Sequence, residues 1–293
     1  MRSLREEGAE EARRHADALA AMAGTGDALR LETVAAGLAL KVGDRDAAAT
    51  RALAVIESGT AQPDVLVAAL EIAAGTADRA LAEDLWRRAV DMLRQTSGEE
   101  HPDTLTAMGN LASSLSARGD YGGARALQEQ ALAASRWVLG EEHPDTLTTM
   151  NDLADTLWAQ DDLDGARALY EQALAARRRV LGDEHPDTLT TMNNLAETLS
   201  AQEDYGGARA LYGQALAVSR RVSGDEHPDT LTAMNNLAET LLAQGDHDRA
   251  RDLLERVVAA RRRMLGEEHP RTLAAMHDLA ETQSAQHRSA AAE

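Results

Sequence analysis

Five histidines each stand directly before a proline, at positions 101, 143, 185, 227 and 269, with a constant spacing of 42 residues. Imidazoles in such number raise the question of a metal site or a general base. The spacing answers it for metal. One histidine per unit, on stacked helix pairs about 10 Å or more apart, cannot bring several nitrogens to within about 2 Å of one ion. The histidines are therefore expected to be loop and capping residues. Other reactive chemistry is equally poorly provided for. Cysteine is absent, which removes disulfides, thiolate ligands and a cysteine nucleophile. The single lysine, Lys41, precedes Val42 and Gly43 rather than Ser or Thr, so there is no Walker motif, and neither His-Glu-x-x-His nor Gly-x-Ser-x-Gly occurs. Carboxylates are abundant because the chain is acidic, and no pair has a context that marks it for acid–base work. The residues indicate no enzyme, no metal and no cofactor.

The elements that position these histidines follow from the same period. In the unit that starts at His185, the residues Leu189, Met192, Leu195, Ala196 and Leu199 recur at helical spacing and predict one buried stripe, here termed helix A. Ala208, Leu211, Tyr212, Ala215 and Leu216 repeat the pattern as helix B. Gly119-Asp120 and Gly245-Asp246 supply a left-handed stop for one helix and a cap for the next, and so short a turn forces antiparallel packing. Asp161 and Glu203 stand where that glycine would be, which predicts strain or a different closure. After helix B, Gly140, Gly182, Gly224 and Gly266 end one unit, and the His-Pro proline pre-sets the first turn of the next. Small residues at Ala196, Ala208 and Ala215, with Gly206-Gly207, allow close helix approach.

The Asn-Asn-Leu-Ala core, the alanine twelve residues beyond it, the Ala-Leu pair of helix B and the His-Pro-Asp linker resemble the 42-residue tetratricopeptide repeats of kinesin light chains and their bacterial relatives, over about residues 60 to 286. The resemblance implies an all-α, right-handed superhelical solenoid of antiparallel helix pairs. The expected organisation is a degenerate helical segment over 1–59, a degenerate repeat over 60–98, four clear repeats over 99–266, a capping helix over 267–286 and a frayed tail over 287–293. Gln283, at the register of Leu115, Leu157, Leu199 and Leu241, is the polar replacement expected of a capping helix.

By the same resemblance, helix A lines a concave groove in which asparagines hold the backbone of an extended peptide. Asn110, Asn151, Asn193, Asn194, Asn235 and Asn236 are the candidates. An amide offers both the donor and the acceptor that a peptide backbone needs, and asparagine is a mediocre helix former that a merely solvated face has little reason to favour. Asp155, Glu197 and Glu239 share these ladders, so the groove is expected to be negative and to prefer a neutral or basic segment; no lysine is present to clamp a C-terminal carboxylate. Trp158 is either an aromatic anchor in the groove or a lateral packing residue. Arginine clusters at 177–179, 220–221 and 261–263 complement helix C-termini.

A formal charge of −19 opposes nucleic acid and anionic lipid as partners. No stretch reaches the length of a membrane span and no signal peptide is evident, so a cytoplasmic location is expected, with a monomer favoured. A scaffold that binds a protein or peptide is the leading expectation. A sensor segment of a bacterial NTPase-linked signalling system and a self-assembling structural protein are the alternatives.

Overall fold

The computed structural model describes residues 79–290 together with Thr50, Ala52, Ala54 and Ala68. The expected helices over 1–59 lie essentially outside the described residues, as do residues 291–293. Ten helices follow one another, and no strand occurs among the described residues: α1 (Arg79–Thr96), α2 (Pro102–Ala117), α3 (Tyr121–Val138), α4 (Pro144–Ala159), α5 (Leu163–Val180), α6 (Pro186–Ala201), α7 (Tyr205–Ser223), α8 (Pro228–Ala243), α9 (His247–Leu265) and α10 (Pro270–Ala290). The even-numbered helices are the A helices and α3, α5, α7 and α9 the B helices. The fold is the all-α repeat expected. Two compact units divide the chain at Asp152 and Leu153, within α4.

In the first unit, α1 packs on α2 and α2 on α3. Their core is built from Leu85, Trp86, Val90, Leu93, Met108 and Leu111, with the small residues Ala112 and Ala124 fully buried among them. Glu83 of α1 accepts hydrogen bonds from Arg87 at 2.7 Å and from Arg118, which ties α1 to the end of α2. In the second unit each helix from α5 to α9 packs on its successor. Met192, Leu195, Leu199, Tyr212, Leu216, Met234, Leu241, Leu254 and Val257 are buried along it. Of the stripes read from the sequence, Leu189 and Leu211 are only half-buried and the rest are buried as expected.

The turns show why the repeat keeps its polar residues. Asp120, Asp162, Asp204 and Asp246 cap the B helices, each accepting from the backbone N–H three residues on, at 2.9, 3.1, 2.9 and 3.3 Å. Before them, Gly119 and Gly245 have positive φ, and so do Asp161 (64°) and Glu203 (63°). The turn geometry is thus kept without glycine, at the strained conformation the sequence suggested. Gly207 is small for a specific reason: a Cβ there would lie 2.9 Å from the Asp204 carboxylate and 3.1 Å from Leu199 Cδ1. Gly206 has no such neighbour, so close helix approach explains only one of the pair.

All five His-Pro histidines do the same work. Nδ1 of His101, His143, His185, His227 and His269 accepts the backbone N–H two residues on, at 3.2 to 3.3 Å, at the start of each A helix. The arginine clusters are also structural. Arg178, Arg220 and Arg262 pair with Asp183, Asp225 and Glu267 of the linker that follows, while Arg221 and Arg263 reach back to Glu184 and Glu226. Arg177 is buried and donates to the Asp187 carbonyl and the Thr191 hydroxyl.

Candidate functional site

A helical repeat has 3.6 residues per turn, so adjacent asparagines point about 100° apart and cannot form one ladder. The structure separates them accordingly. Asn194 and Asn236 share one register with Asn110; Asn193 and Asn235 share the other with Asn151. The two registers have different surroundings.

In the first unit, Asn110 is half-buried and lines a cavity of about 220 Å³ with Leu105, Ser113, Ser135, Thr149 and Asp152. Asn151 is buried, 6% exposed, and engaged within the protein. Among the second unit's candidates, Asn193 and Asn235 are half-buried, each with an enclosed Oδ1 that has no hydrogen-bond partner. Asn235 turns its amide N–H to Glu239 Oε1 at 2.8 Å.

The other register of the second unit forms two successive constellations. In the first, the Asp155 carboxylate of α4 accepts from the Tyr170 hydroxyl of α5 and, at 3.0 Å, from Asn194 Nδ2 of α6. Three helices are thereby linked through one carboxylate. Burial raises the Asp155 carboxyl above its ordinary range against the lowering effect of these donors, and burial together with the adjacent carboxylate raises the Tyr170 phenol. Trp158, 40% exposed, stands one turn further along α4. One repeat later the equivalents are Glu197, Tyr212, Asn236 and, at the Trp158 position, Ser200. Here no closed set forms. Glu197, Ser200, Tyr205, Tyr212, Asn236 and Glu239 instead line an open cavity of about 260 Å³. Burial first, then Glu197 and Glu239, push the Tyr212 phenol upward, and burial, Asp278 and Glu197 raise the Glu239 carboxyl.

Of the ten sequence candidates, then, Glu197, Asn236 and Glu239 meet around one cavity, Asp155 and Asn194 meet in one hydrogen-bonded set beside Trp158, and Asn110 lines a cavity of its own unit. The helical period places Tyr212 in the core stripe and does not reveal its hydroxyl at the cavity. The signal was available in the change from Asp155 to Glu197 and from Trp158 to Ser200 between otherwise near-identical units. Trp137 was also overlooked; it is exposed at a register that the later units fill with Arg179, Arg221 and Arg263. Among the described residues, no group of three histidines or acids is placed to hold a metal ion, and no helix is long and apolar enough to cross a membrane.

The family model described as "Tetratricopeptide repeat" matches residues 59–136, 110–179, 145–221, 206–263 and 229–293. No curated protein matches the chain. Among solved structures, the kinesin light chain nearly identical TPR-like repeats of Podosopora anserina are 27% identical, over 70% of this chain and 97% of that one, with a TM-score of 0.63. BtubC (BKLC) from P. vanneervenii is 22% identical over 83% of this chain and 94% of that one, with a TM-score of 0.67. A signal-transduction ATPase with a tetratricopeptide repeat sensor, from Pyrococcus horikoshii, has the same TM-score of 0.67 at 10% identity, over 84% of this chain and 38% of that one. The last two likenesses are of fold alone. Tetratricopeptide repeat proteins generally mediate protein–protein interaction, and with family matches spanning residues 59 to 293 the chain belongs to the tetratricopeptide repeat family.

Proposed function

We propose that this chain is a non-catalytic adaptor that binds an extended polypeptide segment, neutral or basic in character, against its A-helix side chains. The observation that carries the reading is the convergence of Glu197, Asn236 and Glu239 on one accessible cavity with no cationic residue among its lining. An extended backbone presents donors and acceptors that the Asn194 and Asn236 amides can answer, and the carboxylates of the same register disfavour an acidic segment. The acidic balance of the whole chain supports the same preference. Panning a display library of short linear peptides on the intact protein tests this. Neutral and basic sequences should be enriched, and replacing Asn194 and Asn236 by alanine should abolish their capture; Asn236→Ala alone should leave the thermal midpoint nearly unchanged, whereas Asn194→Ala also removes the hydrogen bond to Asp155 and should lower it. Enrichment of acidic peptides, or capture indifferent to both substitutions, defeats the reading.

A further inference from the structure

The cavity between α6, α7 and α8 differs from its neighbour in ways that specify a ligand more narrowly than a peptide groove does. We infer that it is a socket for one guanidinium group, the side chain of an arginine in the bound segment. The inference rests on the peptide-binding reading above and adds to it the residue that the site selects.

Three observations lead there. Tyr212 is only 5% exposed, yet it reaches the cavity and its hydroxyl makes no hydrogen bond. The equivalent hydroxyl one repeat earlier, on Tyr170, is bound to Asp155. Ser200 supplies a second oxygen, an enclosed Oγ on the cavity lining without a partner. A polar group withdrawn from water and left unpaired is costly, as the Ser200 oxygen is, and with the Tyr212 hydroxyl opening unpaired on the same space it marks a place for a donor. Second, the preceding repeat carries Trp158 where this one carries Ser200. The smaller residue opens the space.

Third, the charge on the lining is of one sign. Glu197 and Glu239 contribute carboxylates, and Asp278 of α10 adds a further negative field at Glu239. Arg209 of α7 is directed to Gln244 at 3.3 Å and is not part of the lining. A planar guanidinium with five N–H donors can meet two carboxylates, a hydroxyl and a phenol at once, and can lie against the Tyr205 and Tyr212 rings; an ammonium can do neither as fully. At about 260 Å³ the space is below the roughly 300 to 1,000 Å³ of sites for drug-sized ligands. It suits one side chain. Free arginine brings its own carboxylate towards Glu197 and Glu239, so an arginine inside a polypeptide, whose carboxyl is an amide, is the better match.

The test uses the isotope-labelled intact chain and four probes at millimolar concentration: N-acetyl-arginine N-methylamide, its lysine and citrulline counterparts, and free arginine. Nuclear magnetic resonance shifts of backbone amides in α6, α7 and α8 are read. The capped arginine should shift them with an affinity about tenfold above that of the citrulline analogue, and more strongly than lysine or free arginine. The shifts should vanish in Glu197→Gln/Glu239→Gln, which keeps side-chain size, and in Ser200→Trp, which puts at this position the bulk that Trp158 has one repeat earlier. Equal response to arginine and citrulline, tighter binding of free arginine, or shifts that survive both variants overturns the inference. If the socket fails while peptides are still captured through Asn194 and Asn236, the groove reading stands alone. If arginine binds while no peptide is captured, the socket stands and the groove reading falls.

Discussion

Tyr170 and Tyr212 are one repeat apart, nearly equally buried, and differ in whether the hydroxyl has a partner. That difference converts directly into stability. Tyr170→Phe removes a donor to the Asp155 carboxylate and should cost about 1.5 to 3 kcal/mol, the range for hydrogen bonds to charged groups. Tyr212→Phe removes a hydroxyl that bonds nothing, so urea unfolding should place it within about 0.5 kcal/mol of the parent. Equal costs would show that the two sites are not distinguished as described. Glu239 gives the complementary case. Its carboxyl is raised by burial and by Asp278 and Glu197, against the Asn235 donor, so the folded state disfavours the ion. A raised acid is harmless below its unfolded value and destabilises as pH rises through its folded value. Glu239→Gln should therefore increase stability at neutral pH, with the gain disappearing below the ordinary glutamate range of about 4.3. A gain that is constant across that range would assign it to some cause other than the charge.

At the scale of elements, the structure follows the sequence where spacing alone determines geometry. The 42-residue period located each described helix, and the Gly-Asp and His-Pro signals located its ends, because caps and stops are local chemistry. What the sequence did not show was the pairing of side chains from different helices. Adjacent asparagines looked equivalent in a linear reading, yet Asn193 and Asn235 have enclosed oxygens while Asn194 donates to Asp155 and Asn236 lines the cavity with Glu197 and Glu239. The Tyr212 hydroxyl was hidden for the same reason, since the residue is buried in its own stripe while its hydroxyl reaches the cavity beside α6 and α8. Local chemistry also carries a prediction for the turns. Asp161 and Glu203 hold φ values near +64°, which a residue with a Cβ adopts at a cost of roughly 1 to 2 kcal/mol. Glycine enters this conformation freely but loses more entropy on folding. Glu203→Gly should consequently raise the thermal midpoint, by a net gain of about 0.5 to 1 kcal/mol. The unit closed by Gly245 serves as the internal reference, and there Gly245→Glu should lower it by a similar amount. If both changes move the midpoint in the same direction, backbone strain is not the cause.

Across the whole molecule, charge is the property no single repeat reveals. A formal charge of −19 surrounds a register in which Asp155, Glu197, Glu239 and Glu281 recur once per unit. The fields of such groups add over distances comparable to the Debye length, about 10 Å at 0.1 M salt and about 3 Å at 1 M. A basic segment is thus drawn in by many charges but held at contact by few. The two roles separate with ionic strength. The association rate of an arginine-containing peptide, measured by stopped-flow fluorescence, should fall about tenfold between low and near-molar salt, as steering is screened. The dissociation rate should change little, because the contacts at the Glu197 and Glu239 cavity lie inside the screening distance. Glu197→Gln/Glu239→Gln should act in the opposite way, raising the dissociation rate with a minor effect on association. An association rate independent of salt would mean that the acidic surface plays no part in capture, and would leave the preference for basic segments to the cavity alone.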